Sequence, residues 1–474
     1  MRPVPTDSAA LHLQPAQPWW RPSTTPRMAG SHGGGAPVAA MRDDSSLPFR
    51  MLMLFTFILL LAPQQLFPVL APLRIALLVA GLAMLTYVGN RLSNQKPMLD
   101  IAPGIKPATL LAGWAVLTVP LSFWPGGSVN FLLSEFFKTL VVFLLLAHVV
   151  DSGNKLLRLS WALVIMAVPL ALSTLSNFAT GNYLSSDRIV GYNAPLTTNP
   201  NDMALMLNLI LPFAFALLLS AKSFMTKLIL GAAIFILIGA IIVTFSRAGF
   251  LALAFIILMY MWLVRNRPQR WIIPVAFVLG LCALPLVPTT YYDRISTITE
   301  IESDETRSAQ TRWRDYAVAS RLVLSDPLIG AGVGMSIFAM NEARGETSTE
   351  IHNVYLQYAV ELGIPGLVLF LLLFRTCLGN TKDALTRLRQ HPELTTLFYL
   401  AEAIRVSLLA YAIEAMFHPV AYAFYFYYIA GLAVALTTVC DRELARLLPP
   451  QPDSRNVPRA AASPQKALPL LSQP

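Results

Sequence analysis

Glu350-Ile351-His352-Asn353-Val354-Tyr355-Leu356-Gln357-Tyr358-Ala359-Val360-Glu361-Leu362-Gly363-Ile364-Pro365-Gly366 is the stretch where a long polar segment turns into an apolar one. A His-Asn pair stands at the boundary. A carboxylate follows inside the apolar run, and a Gly-x-x-Gly containing a proline comes after it. Polar groups carried into a bilayer are costly, and where they persist they usually serve a function. The apolar run continues to about residue 376, enough to cross a membrane at about 20 residues per span.

The same alternation repeats along the chain. Further runs lie near 47–62, 66–89, 108–124, 130–150, 155–178, 202–220, 226–244, 247–264, 271–288, 396–417 and 420–439. With 353–376 they give about 12 spans. The 474 residues are 55% hydrophobic and 13% charged, and the mean hydropathy is +0.58. A soluble domain carries about 25% charged residues. The fold class expected is therefore an all-α polytopic membrane protein. It divides into a disordered tail over 1–46, spans 1–9 over 47–288, an external loop domain over 289–352, spans 10–12 over 353–439 and a tail over 440–474. Residues 1–46 are rich in Pro, Gly, Ala and Ser and cannot bury a core. Met28 or Met41 is a candidate start of translation.

The net charge of +9 does not point to nucleic acid. Lys and Arg gather in alternate loops, at Arg91 and Lys106, Lys155 and Arg158, Lys222 and Lys227, Arg265, Arg267 and Arg270, and Lys382, Arg387 and Arg389. Such loops stay on the cytoplasmic side, which places both tails inside. The three cysteines, Cys282, Cys377 and Cys440, show no disulfide or zinc spacing.

Eight basic residues fall on the outer side: Arg188, Arg247, Arg294, Arg307, Arg312, Arg314, Arg321 and Arg344. All are arginine, whose rigid fork of donors matches phosphate oxygens. Ordinary ion pairing with Asp187, Asp293, Asp304 or Glu305 is the alternative. Arg247 sits in the tight hairpin Thr244-Phe245-Ser246-Arg247-Ala248-Gly249, where it serves as an anion anchor or snorkels to the interface. Arg188 precedes the polar segment Asn199-Pro200-Asn201-Asp202, in which Asn201 or Asp202 is expected to cap the next span. Residues 306–324 have the spacing of an amphipathic helix with Trp313, Tyr316, Ala317, Val323 and Leu324 on its apolar side. Arg307, Arg314 and Arg321 share a solvated face, whereas Arg312 lies about 200° from Arg314 and points with the buried side. Gly330-Ala331-Gly332-Val333-Gly334 lacks the strand-turn-helix setting of a nucleotide fingerprint. It reads as a turn that lets backbone approach the site.

His352 ends the polar loop at the level of Arg188 and Arg247. A neutral imidazole takes a proton from a hydroxyl near neutral pH. Glu361, nine residues on, lies about 13 Å deeper on the opposite face, so the two form no dyad. Asn353, Gln357 and Glu361 form a polar stripe facing the bundle, and a kink is expected at Pro365.

These motifs together resemble the family of O-antigen ligases and polymerases. The resemblance rests on Ser246-Arg247-x-Gly249, Arg312 and Tyr316 followed by Pro327-Leu328-Ile329-Gly330-Ala331-Gly332, and His352-Asn353-x-x-Leu356 leading to Glu361-x-Gly363-x-x-Gly366. The resemblance implies a helical bundle of the membrane glycosyltransferase type (GT-C-like), in the bacterial inner membrane with its active site facing the periplasm. It implies transfer of a glycan from undecaprenyl pyrophosphate to a sugar hydroxyl of lipid A–core, inverting, without metal or cofactor. His352 is then the base, and Arg188, Arg247 and Arg312 clamp the pyrophosphate. Asn353 and Glu361 support the helix. The expected partners are the lipid-linked glycan, lipid A–core and membrane lipids. A polymerase or a protein O-oligosaccharyltransferase on the same scaffold is the alternative; the short tail over 440–474 favours the ligase. A transporter is the reading from another class. It requires charges along a mid-bundle path, for which only Lys138 and Arg405 qualify.

Overall fold

The computed structural model describes residues 46–447 except 96, 98–101, 184–188, 195, 272–273, 275–307 and 346–349. Arg188, most of the expected span 271–288, the first part of the outer loop and most of both tails therefore lie outside the described residues.

The described chain is helical, and its only β feature is an isolated bridge between Tyr183 and Ile189. In chain order the helices are α1 (Ser46–Leu61), α2 (Ile75–Ser93), α3 (Ile105–Leu117), α4 (Pro125–Val149), α5 (Gly153–Ala179), α6 (Pro200–Ser220), α7 (Phe224–Val243), α8 (Arg247–Val264), α9 (Ser308–Ser325), α10 (Ser336–Arg344), α11 (Val354–Leu388), α12 (Thr395–Glu414) and α13 (Phe424–Leu447). Nine of the described helices are long and apolar enough to cross a membrane, and α1 and α3 are shorter apolar helices. The chain is an all-α polytopic membrane protein.

The local signals explain the boundaries. Asn199 caps α6 by accepting from the Asn201 N–H, with Pro200 at the first helical position, where its missing donor costs nothing. Ser246 caps α8 through the Gly249 N–H. α11 runs well past residue 376, because the charged Lys382–Arg389 stretch continues the helix beyond the apolar part.

α6, α12 and α13 form the most enclosed part of the bundle, and α2 is the least buried of the nine. Lipid tails are as apolar as the side chains, so packing and interhelical hydrogen bonds hold such helices together. Ser407 Oγ donates to the Leu209 carbonyl at 2.8 Å, joining α12 to α6. The Tyr358 and Tyr427 hydroxyls lie 2.8 Å apart between α11 and α13.

The two ends of the bundle differ in charge. At one end Lys155 and Arg442 both pair with Asp151, Arg387 pairs with Asp441, and Arg267 forms two bonds to Glu402 at 2.9 and 2.6 Å. At the other end α9, α10 and the Gly-rich loop pack over the start of α11.

α11 is interrupted at Gly363 (φ 67°, ψ −175°), not at Pro365. Only glycine takes that backbone conformation at low cost. The break frees carbonyls, and outer-loop backbone takes them up. The Ala331 N–H donates to Val360 O at 2.7 Å, the Gly332 N–H to Glu361 O at 2.8 Å, and the Ile364 N–H to Pro327 O at 2.8 Å. Trp114 Nε1 donates to Leu362 O at 2.9 Å. Gly332 has φ +97°, and a Cβ there would collide with Ser122. The Gly-rich turn is thus a backbone clasp on the broken helix.

Candidate active site

His352 stands just before α11. Its Nδ1 is 3.1 Å from the Glu350 carbonyl. A carbonyl only accepts, so Nδ1 carries the proton and Nε2 keeps its lone pair. Burial lowers the proton affinity of His352 below the usual value of 6.5, and the nearby Arg312 lowers it further. The imidazole is therefore neutral at pH 7.

Three segments fix the histidine. Asn353 caps α11 by accepting from the Leu356 N–H at 3.0 Å. The Val354 N–H donates to the Ala415 carbonyl at 2.8 Å, tying the helix start to the α12–α13 turn. The Tyr316 hydroxyl of α9 lies 3.0 Å from His352 O and 2.9 Å from Met416 O, and shares its proton between them. Arg312 precedes Tyr316 by four residues, about one turn on the same face, which brings its guanidinium toward the imidazole.

α9 is oriented differently from the sequence expectation. Trp313 and Leu324 are exposed, and the buried side carries Asp315 and Ala319. Asp315 pairs with Arg344 of α10, both almost fully buried. That ion pair, and Ala319 against Met340, Ile351 and Val360, set the helix rotation. Arg344 is thereby engaged in an ion pair, with an acid other than the four expected. Arg314 and Arg321 are exposed as anticipated, and Arg312 is half-buried. A buried carboxylate breaks an apolar stripe, so periodicity alone misjudged the face.

His418, in the α12–α13 turn, was missed. Its Nδ1 is 3.0 Å from the Glu414 carbonyl, and the Asn201 backbone is also close to the ring. Burial holds its pKa down to about 4, with Arg312 and His352 contributing. The charge of Arg312 thus acts on two neutral imidazoles. The available signal was Glu414 and His418 at i,i+4 spacing at the outer end of a span.

Arg247 begins α8 at this same end. Asn208 Nδ2 donates to the Gly249 carbonyl at 2.9 Å and to Glu414 Oε1 at 2.8 Å, linking the first turn of α8 to the helix that leads to His418. Phe245, in the hairpin before Arg247, has φ 53°, a strained value for a bulky residue. Arg247 is half-buried there. The structure brings His352, Arg312, Tyr316 and His418 together, and Arg247 is connected to them through Asn208 and Glu414. Glu361 is engaged elsewhere: it is fully buried, accepts from the Gly334 N–H at 2.7 Å, and takes a 3.3 Å bond from Gln357 Nε2.

No curated protein sequence matches the chain. Residues 231–371 match the family model described as O-antigen ligase. This stretch holds Arg247, Arg312, His352 and Glu361. The family carries ligase- or polymerase-type glycosyl transfer with lipid-linked glycans in a membrane. In motif order, helical architecture and matched region alike, the chain is similar to the O-antigen ligase family over residues 231–371.

Proposed function

We propose that the protein is an O-antigen ligase that transfers a glycan from undecaprenyl pyrophosphate to a sugar hydroxyl of lipid A–core at the periplasmic face of the bacterial inner membrane. The observation that carries this reading is a neutral His352, with a free Nε2 lone pair, beside the Arg312 guanidinium.

In this mechanism Nε2 of His352 removes the acceptor hydroxyl proton as the oxygen attacks the anomeric carbon. The bond from that carbon to the phosphate oxygen breaks on the opposite face. Its electron pair leaves with undecaprenyl pyrophosphate, and the anomeric configuration inverts. Arg312 and Arg247 stabilise the growing negative charge by charge-assisted hydrogen bonds, without a metal. Arg188 joins them as a third ligand in this proposal. Asn353 and Tyr316 hold the base, and Glu361 holds the loop clasp through Gly334. The end of the bundle rich in Lys and Arg is cytoplasmic by the positive-inside rule, so the site opens to the periplasm.

Purified protein given lipid-linked O-antigen and lipid A–core should yield the ligated product in detergent without a gradient. His352→Ala should lower turnover by about 100-fold or more, the usual worth of a general base. Arg247→Lys should also lose most activity, because an ammonium cannot reproduce the guanidinium fork. Full activity in His352→Ala would remove the assigned base. Products elongated by repeat units instead of ligated ones would favour the polymerase.

A further inference from the structure

A cavity of about 250 Å³ opens beside the cluster just described, lined among others by Phe131, Glu135, Glu350, Gln357, Glu361 and Tyr422. Ile351 and Pro419 also line it, whereas the adjacent His352 and His418 belong to the imidazole–guanidinium cluster. Segments 351–352 and 418–419 are therefore shared by the two.

We propose that this cavity is the subsite for the hydroxyl-bearing sugar of the acceptor, with Glu135 and Tyr422 as its recognition residues. The proposal rests on the glycosyl-transfer reading above. Glu135 lies in a π-helical turn, Leu132–Phe136, within α4. Such turns re-aim side chains and frequently occur at functional sites. It is ten residues into α4, about 15 Å from the helix start, and it is exposed. An ionisable side chain at that depth faces a water-filled cavity, not lipid. The Tyr422 hydroxyl is a second and independent sign. Tyr422 is 4% exposed, and its hydroxyl lies against the Glu361 carboxylate, to which it donates, so that the phenol oxygen is left to accept from a ligand hydroxyl.

The lining also selects the ligand. The Glu135 and Glu350 carboxylates and the Tyr422 phenol offer acceptors to hydroxyls, beside Gln357 and Glu361, which are bonded to each other. The Phe131 and Tyr422 rings, packed edge-to-face at 5.4 Å, offer apolar surface to sugar C–H groups. No lysine or arginine lines the cavity. A pyrophosphate would be repelled there, so the donor anion belongs with the arginines and the neutral sugar here. The volume is below the roughly 300–1,000 Å³ of pockets that enclose drug-sized ligands, and suits a sugar unit better than a whole glycan.

The test is equilibrium binding to the full chain in detergent, without turnover. The probes are deacylated core oligosaccharide, free O-antigen repeat unit and undecaprenyl-pyrophosphate-linked glycan. Glu135→Gln and Tyr422→Phe should each weaken core binding by about tenfold, the worth of one hydrogen bond to a charged or buried group, and leave lipid-linked donor binding unchanged. Arg312→Ala should do the reverse. Unchanged core binding in both variants, each melting like wild type, overturns the subsite, as does loss of donor binding instead. A chain that binds repeat unit but not core, and loses that binding in Glu135→Gln, keeps the subsite and overturns the ligase reading. A wild-type chain that binds neither saccharide overturns the subsite.

Discussion

The proton affinity of His352 is set by two neighbours with opposite chemistry. The Glu350 carbonyl takes the Nδ1 proton, and the Arg312 guanidinium adds to burial in disfavouring a second one. A base must be unprotonated to work, so kcat/KM should be full above the lowered pKa. It should fall tenfold per pH unit below it. The acid limb is therefore expected below pH 6.5. Arg312→Gln removes a positive neighbour, so the residual activity should show its acid limb shifted upward toward 6.5. A pH–rate profile of the two proteins checks this, and an unmoved limb would separate Arg312 from the base. His418 sits under the same influence, pushed down to about 4, so it stays neutral across that range and adds no second limb.

α11 does two jobs along one helix. Its first nine residues carry Asn353-capped backbone and Gln357 and Glu361. The remainder, after Gly363, crosses the apolar layer. The break is held chiefly by outer-loop backbone, with Trp114 Nε1 on Leu362 O as a side-chain partner, and it depends on glycine at 363. Gly363→Ala would force a side chain into a backbone region that costs about 1–3 kcal/mol, and its Cβ would press on the Leu328 carbonyl. The expected outcome is a lower melting temperature together with faster proteolysis between residues 326 and 335. A variant that melts and cleaves like wild type would show that the clasp does not need this conformation. Pro365 was the residue expected to bend the helix. It sits two residues beyond the break, where the missing N–H falls next to carbonyls already taken by the loop.

For the molecule as a whole, the charge difference between its two ends makes orientation testable. Among the described residues Cys377 and Cys440 are buried, so a Cys282→Ser background suits thiol labelling. Arg314→Cys, on the exposed face of α9, should react with a membrane-impermeant maleimide added from the periplasmic side. Arg389→Cys, at the opposite end, should react only after the inner membrane is opened. The reverse pattern would invert the topology and remove a periplasmic site. The same two-ended arrangement weighs against a transporter. The imidazole–guanidinium cluster lies at one end, and Lys138 and Arg405 are the mid-span charges that a transport path would have to use.

Length and apolarity of the runs decided that the chain is a bundle of membrane-spanning helices, because about 20 apolar residues have no other stable home. Local chemistry also made the boundary at His352 readable, since it depends on neighbours within a turn, whereas the cap expected at Asn201 or Asp202 fell on Asn199. The rotation of α9 was not readable. It follows from a pair between Asp315 and Arg344, residues brought together only when α10 folds back on α9. His418 joined His352 for the same reason: sixty-six residues separate them, and the α12–α13 turn closes that distance. The kink moved from Pro365 to Gly363 because loop backbone from 327–334 supplied the partners that a break requires. Sequence determines which residues can enter a membrane and where a helix can begin. Tertiary structure alone decides which buried polar groups find each other, because each match depends on a donor and an acceptor far apart in the chain.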